Sequence, residues 1–254
     1  MTQDLIWCER GGTPGPVLIL LHGLGANAAV WDGLKPILAE RWHGGWIIPD
    51  LRGHGRSVHR TAYDFASYAA DIASLVPQGA EVSIIGHSMG GVIALLLASN
   101  RFGARVKRVC ASSMKVDWTE EDSARGAALA NAPAKTFDSK CDAIDRYLRV
   151  SGLKALVPPD SLAALVGIRE SQGMFHLAAD PKINAIDKID FPRVVREAKA
   201  DLFLLCGERD PVAPPESMRR LGAEVSVLPD LGHNLHVEAP MAFWSAIEPI
   251  ILGP

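Results

Sequence analysis

The sequence predicts a doubly wound α/β fold, in which helices cover both faces of a parallel sheet, with an inserted helical cap. Three observations carry that prediction. Short apolar runs bounded by Gly, Pro or Asp alternate with longer stretches of helical spacing. The runs are nearly continuous in Val, Ile and Leu, as in strands buried on both faces. Between about Met114 and Arg193 the alternation stops, no strand is evident, and helical segments dominate.

In chain order, residues 5–9 are a weak strand candidate, and Gly11-Gly-Thr-Pro-Gly-Pro16 reads as a turn into a strong strand at 17–21. A helix at 31–40, a strand at 46–49 and a helix at 64–76 follow. The strand at 82–85 runs through a glycine-rich turn into an apolar helix at 89–102, and a strand at 106–111 closes this half. In the insert, Thr119-Glu-Glu-Asp122 and Asp138-Ser-Lys140 have the residues of helix starts. A third helix is predicted at 160–179, with Gly167 and Gly173 as weak points. The rhythm resumes with strands at 202–206 and 225–228 and helices at 215–221 and 239–252. The expected organisation is a core of residues 1–113 and 194–254 carrying a cap of residues 114–193.

Composition excludes several classes of function. The chain has 254 residues, 48% of them hydrophobic and 22% charged, which is ample for a core and unlike a disordered chain. Its net charge of −3 offers no basic footprint for nucleic acid. The longest purely apolar run, 92–98, is far shorter than the roughly 20 residues of a membrane span. Asp4 stands where a signal peptide would carry positive charge, so a cytoplasmic location is expected. Cys8, Cys110, Cys141 and Cys206 are scattered without metal or redox spacing and read as free thiols, mostly buried.

The strongest local signal is Gly86-His87-Ser88-Met89-Gly90-Gly91, placed between a strand and an apolar helix. This is a G-x-S-x-G nucleophile elbow in the context it requires. The turn is so tight that only glycine fits two residues before and after the serine, and the helix that follows aims N–H groups at a developing oxyanion. A serine hydroxyl needs a base, itself oriented by an acid, and on such a sheet these come later in the chain in the order acid, then histidine. Asp210 follows the strand at 202–206 and His233 follows that at 225–228, so both fall in loops at the carboxyl ends of strands. Glu208 lies earlier in the same turn, Asp201 at the wrong end of its strand, and Asp230 reads as a turn residue. The backbone N–H groups of Leu24, in the loop after the strand at 17–21, and of Met89 are the expected oxyanion donors.

Two rival motifs are weaker. Gly23-x-Gly25-x-x-Ala28, with Asp50 after the next strand, is formally a dinucleotide fingerprint, but hydride transfer has no use for a second glycine-rich turn that presents a serine. His233 and His236 have the spacing of a helical metal pair without a third ligand in reach, which makes His236 structural or part of the pocket rim. No metal or cofactor is expected.

Taken together, His22-Gly23, Asp50-Leu-Arg-Gly-His-Gly-Arg-Ser57, Gly86-His-Ser-Met-Gly-Gly91, Gly207-Glu-Arg-Asp210 and Gly232-His233 resemble the α/β-hydrolase superfamily in type and order, over nearly the whole chain. The resemblance implies an eight-stranded, mostly parallel sheet, a helical cap after the sixth strand, and Ser88, Asp210 and His233 as the triad. It implies that Arg52, His54 and Arg56 order a loop. With only about 16 residues before the His-Gly strand, the amino-terminal edge of the sheet is expected to be trimmed. Serine at position 88 departs from the aspartate-nucleophile branches, the haloalkane dehalogenases and epoxide hydrolases.

The function expected is cleavage of small to medium apolar carboxylic esters or lactones through an acyl-enzyme. The alternatives are a carbon–carbon bond hydrolase of ring-cleavage products and a ligand receptor on a hydrolase scaffold. Trp31, Met114, Trp118, Met174 and Phe175 are the candidate pocket residues. Nothing in the sequence bears on oligomeric state.

Overall fold

A computed structural model describes residues 6–185 and 188–253. Leu5, where the first predicted strand begins, lies outside these residues. The strands are β1 (Cys8–Gly12), β2 (Val17–Leu21), β3 (Gly45–Pro49), β4 (Glu81–His87), β5 (Arg105–Ser112), β6 (Thr136–Phe137), β7 (Ile168–Ser171), β8 (Met174–Leu177), β9 (Asp201–Gly207) and β10 (Val225–Leu228). Seven of them form the main sheet in the order β1-β3-β2-β4-β5-β9-β10. Only β1 is antiparallel, pairing Cys8 with Pro49. Among the described residues one strand, β1, precedes β2, and the described sheet has seven strands where the resemblance implies eight.

All five residues of β2 are buried, because helices cover the sheet on both faces. Val17, Ile19 and Leu21 point into one apolar cluster, with α2 (Phe65–Leu75) and α3 (Met89–Leu97). Leu18 and Leu20 point into the other, with Trp31, α1 (Lys35–Arg41) and the carboxyl-terminal helix. Alternation along a single strand therefore feeds two cores. Asp64 caps α2 by accepting from Ser67 N at 2.7 Å.

Between β5 and β9 lie α4 (Glu120–Asn131), α5 (Lys140–Val150), α6 (Leu162–Val166) and α7 (Phe191–Glu197), together with β6, β7 and β8. Thr119 and Asp122 form a reciprocal capping box on α4, and Ser139 caps α5. The predicted all-helical character of this segment is corrected here, since β6, β8 and β7 form a small antiparallel sheet. The helix predicted at 160–179 ends at Val166, with Gly167 as its C-cap; only glycine fits there, since a Cβ would collide with the Tyr147 ring. The chain then reverses through Gln172 (φ 53°) and Gly173 (φ 75°), both in the left-handed region that a two-residue hairpin turn demands.

Polar ties fasten the insert to the sheet. Asn27 Nδ2 donates to Tyr147 Oη and to the Ala163 carbonyl, each at 2.8 Å. Arg169 donates to the Gly55 and Ser57 carbonyls, and Tyr63 Oη to Asp180. After β9 come α8 (Pro215–Arg219), α9 (Leu235–Glu238) and α10 (Pro240–Leu252). Among the described residues no helix is long and apolar enough to cross a membrane. Cys110 and Cys206 are buried and Cys8 is half-buried, but Cys141 is exposed on α5; all four are free.

Candidate active site

Ser88 sits at the junction of β4 and α3 with φ 52° and ψ −116°, a conformation that costs about 1–3 kcal/mol in a non-glycine residue. Its neighbours make that turn possible. A Cβ at Gly86 would strike the Gly90 carbonyl, and one at Gly90 would strike the Leu21 carbonyl. The Ser88 N–H donates to the Ser112 carbonyl at 2.8 Å, pinning the elbow to β5. Met89 is the first residue of α3, where a backbone N–H has no acceptor within the helix.

The loop after β2 passes against the elbow. A Cβ at Gly23 would lie 3.2 Å from Ser88 Cβ and 2.9 Å from His87 Nδ1, so glycine is what allows the approach. His22 holds this loop. Its Nε2 accepts from Leu51 N at 2.9 Å, which leaves Nδ1 as the donor to the Gly23 carbonyl at 2.8 Å. That neutral tautomer fits a pKa lowered chiefly by complete burial.

Asp210 and His233 meet on the far side. His233 Nδ1 lies 2.9 and 3.0 Å from the two Asp210 carboxylate oxygens, and Asp210 Oδ1 also accepts from Val212 N and Ala213 N. Burial alone would raise the Asp210 pKa; the His233 contact and the backbone hydrogen bonds outweigh it and hold the pKa below the ordinary carboxylate value. The Asp210 and His233 loops are packed so closely that a Cβ at Gly207 would collide with the Leu231 and Gly232 carbonyls. Two further groups hold the His233 segment. His87 Nε2 lies 2.8 Å from the His233 carbonyl, and since a carbonyl can only accept, His87 donates there. Its pKa is well below the ordinary histidine value, chiefly through burial and then through its histidine neighbours. Glu238 accepts from Gly232 N at 2.7 Å and from Asn234 N at 2.9 Å.

Ser88, His233, Leu24 and Met89 all border one cavity of about 320 Å³. Its walls are mainly apolar, with Phe65, Val92, Ile189, Phe191 and Val212 beside Trp118. Of the candidate pocket residues only Trp118 lines it, and the other four are corrected here. Trp31 is fully buried against the His236 ring, 4.2 Å between centroids. Met114 is buried against Gly91, Met174 and Phe175 lie on β8, and Phe175 faces Phe137 across the small sheet. Lys115, Arg149, Ile189 and Phe191 were not foreseen, because only the docking of the insert brings them to the cavity.

The competing residues are engaged elsewhere. Glu208 accepts from Asp230 N at 3.0 Å, Asp230 itself has φ 61° and pairs with Arg209 at the surface, and Asp201 is exposed at the start of β9. His236 is buried between Trp31 and His87, and burial lowers its pKa to about 3. Among the described residues no group of three or more potential metal ligands occurs. Asp50 is fully buried and accepts from Ala28 N, Arg56 N and Arg56 Nε at 2.7–2.8 Å, which occupies the carboxylate that a ribose would need. Arg52 pairs with Asp71, and His54 is buried 5.0 Å from the His22 ring.

Known proteins resemble this chain over most of its length. The alpha/beta hydrolase family model matches residues 18–246. The chain is 30% identical over 246 residues, 91% of its length and 80% of the relative's, to the sn-1-specific diacylglycerol lipase ABHD11 of Mus musculus. It is 26% identical over 255 residues to a pimeloyl-[acyl-carrier protein] methyl ester esterase of Neisseria meningitidis, covering 96% of this chain and 97% of that one. The structure of E-2-(acetamidomethylene)succinate hydrolase aligns with a TM-score of 0.80 at 22% identity, over 96% of this chain and 94% of that one. That of a thermophilic esterase from Thermogutta terrifontis aligns with a TM-score of 0.69 at 20% identity, over 97% and 93%. At these identities the two structures speak for the fold.

Proposed function

Because the chain belongs to the alpha/beta hydrolase family, we propose that it is a serine hydrolase that cleaves carboxylic esters through an acyl-enzyme. His233 takes the Ser88 proton as Oγ attacks the ester carbonyl, while Asp210 orients the imidazole and stabilises its charged form. The N–H groups of Leu24 and Met89 donate to the oxyanion. Collapse of the tetrahedral intermediate expels the alcohol, which takes the proton from His233. Water, deprotonated by the same histidine, then releases the acid and restores Ser88.

The observation that carries this reading is the Asp210–His233 contact at 2.9 Å, with His233 and a strained Ser88 bordering one cavity. The esterase and lipase named among the relatives support ester chemistry. The apolar walls suit an alkyl or aryl portion of the substrate. The reading also takes residues 114–193 as a cap that shapes the cavity, since Trp118, Arg149 and Phe191 all reach it from there. The test is labelling with a fluorophosphonate followed by mapping of the adduct. Modification of Ser88 together with steady turnover of aryl esters is expected; no adduct, or one at another residue, overturns the reading.

A further inference from the structure

The catalytic cavity has a charge of its own, opposite in sign to that of the chain. The chain carries 29 acidic against 26 basic residues. Yet among the described residues the titratable side chains that line the cavity are His87, His233, Lys115 and Arg149, with no carboxylate. The two permanent cations come from different elements. Lys115 lies three residues past the end of β5, and Arg149 stands in the last turn of α5.

Each cation has a carboxylate partner outside the cavity lining, and neither cation uses all of its donors on that partner. Lys115 Nζ is 2.8 Å from Asp122 and 4.9 Å from the centre of the Trp118 ring, which leaves donors of its ammonium unused. Arg149 pairs with Asp145, but that carboxylate also serves Lys154 at 3.1 Å, so one anion is shared by two cations. The guanidinium has five N–H donors, and those not engaged by Asp145 can be directed elsewhere. Beyond the two cations the rim is apolar and open, with Trp118, Val150 and Val212 at 36%, 43% and 41% exposure. A site for an uncharged ester gains nothing from this arrangement. It suits an amphiphile with an apolar chain in the cavity and an anionic end at the mouth.

We propose that the ester cleaved at Ser88 is a small amphiphile bearing a carboxylate or phosphate at the end remote from the scissile bond, and that Lys115 and Arg149 bind this group. The inference rests on the serine-hydrolase reading and narrows its substrate class. A small molecule is the occupant because a cavity of about 320 Å³ encloses one ligand of modest size.

The experiment compares monomethyl and dimethyl esters of straight-chain dicarboxylic acids of graded length. At low ionic strength kcat/KM for the monoanion is expected to exceed that of its neutral partner by about tenfold or more at the best length. The ratio should shrink as salt is added, as expected of a partly exposed charge pair. Lys115→Met and Arg149→Met should each lower the ratio, and the double variant should bring it near unity. Lys107→Met, which removes an exposed cation paired with Glu81 outside the cavity, should leave it unchanged. A ratio at or below unity at every length, or one that survives the double variant, overturns the proposal. So does activity confined to neutral esters dispersed in anionic vesicles, which would make the cations a lipid-surface contact. If no ester turns over and Ser88 takes no fluorophosphonate, the failure is that of the hydrolase reading itself.

Discussion

Glu238 accepts hydrogen bonds from the backbone on both sides of His233, at 2.7 Å from Gly232 N and 2.9 Å from Asn234 N. A carboxylate is suited to this task because it offers two acceptor oxygens and no donor. The imidazole is thereby held at its backbone by Glu238 and His87 and at its ring by Asp210.

Glu238→Ala frees two N–H groups and loosens the peptide that aims the base. With the cavity itself untouched, kcat is expected to fall about tenfold or more while KM changes little, since small displacements of a catalytic group are costly. Glu238→Gln places an amide donor against one N–H and should fall between the wild type and Glu238→Ala. Steady-state kinetics with a melting curve for each variant checks this. An unchanged kcat alongside a lowered Tm would assign Glu238 to stability alone.

The proposed oxyanion donors are backbone groups, so the informative substitution removes an N–H and not a side chain. Leu24→Pro should lower kcat by about 10²- to 10³-fold, whereas Leu24→Ala keeps the donor and should be mild. Gly25 beside it has φ 75°, so the loop conformation depends on that glycine, and circular dichroism of Leu24→Pro must match the wild type for the comparison to stand. Equal losses in the two variants would move the donor elsewhere.

The turn at Ser88 and the meeting of Asp210 with His233 were legible because their determinants are local. Gly86 and Gly90 are demanded by backbone collisions within a few residues of Ser88 and against the neighbouring strand, and such needs leave a fixed spacing in the chain. Asp210 and His233 could be located because each follows a strand whose apolar run is unmistakable. The hairpin at 168–177 was not legible. The demand for glycine at 167 comes from the Tyr147 ring, twenty residues earlier in the chain, and the apolar spacing there fits helix and strand alike. The cavity wall was hidden for the same reason. Trp31 has the composition of a pocket residue and lies in the core, while Ile189 and Phe191 owe their place to how the insert lies on the sheet. Glu238 did leave a trace, an acid in the short turn of helix directly after the base.

Acid should destabilise the protein from near neutrality downward. His22, His54, His87 and His236 are all buried with pKa values below the ordinary 6.5, about 3 for His54 and His236. As the pH falls below about 6.5 the unfolded chain takes up these protons and the folded chain does not, so stability is present above that pH and is lost on the way down. Each fully depressed histidine contributes up to about 1.4 kcal/mol per pH unit between the two pKa values. Asp210 adds to the loss below its ordinary range, near pH 4. Urea titrations at pH 7 and pH 5 should show a clear drop in the midpoint, and equal midpoints would exclude this account.

His236 separates that linkage from catalysis. Both its ring nitrogens are buried without a hydrogen-bond partner among the described residues, while its ring packs against Trp31, His87 and Phe243. His236→Phe keeps an aromatic ring there and removes the two unpaired polar atoms, which by themselves cost about 1–3 kcal/mol each. Phenylalanine is somewhat larger, so tighter packing offsets part of that gain. At pH 7 the variant is expected to be as stable as the wild type or more so. Its midpoint should fall less steeply between pH 6 and pH 4, by up to the slope of one histidine. Turnover at neutral pH should stay within a few-fold of the wild type, because His87 still donates to the His233 carbonyl. A variant that loses activity without losing stability would place His236 in the proton path of the base, and an acid slope identical to the wild type's would show that His236 does not carry the linkage.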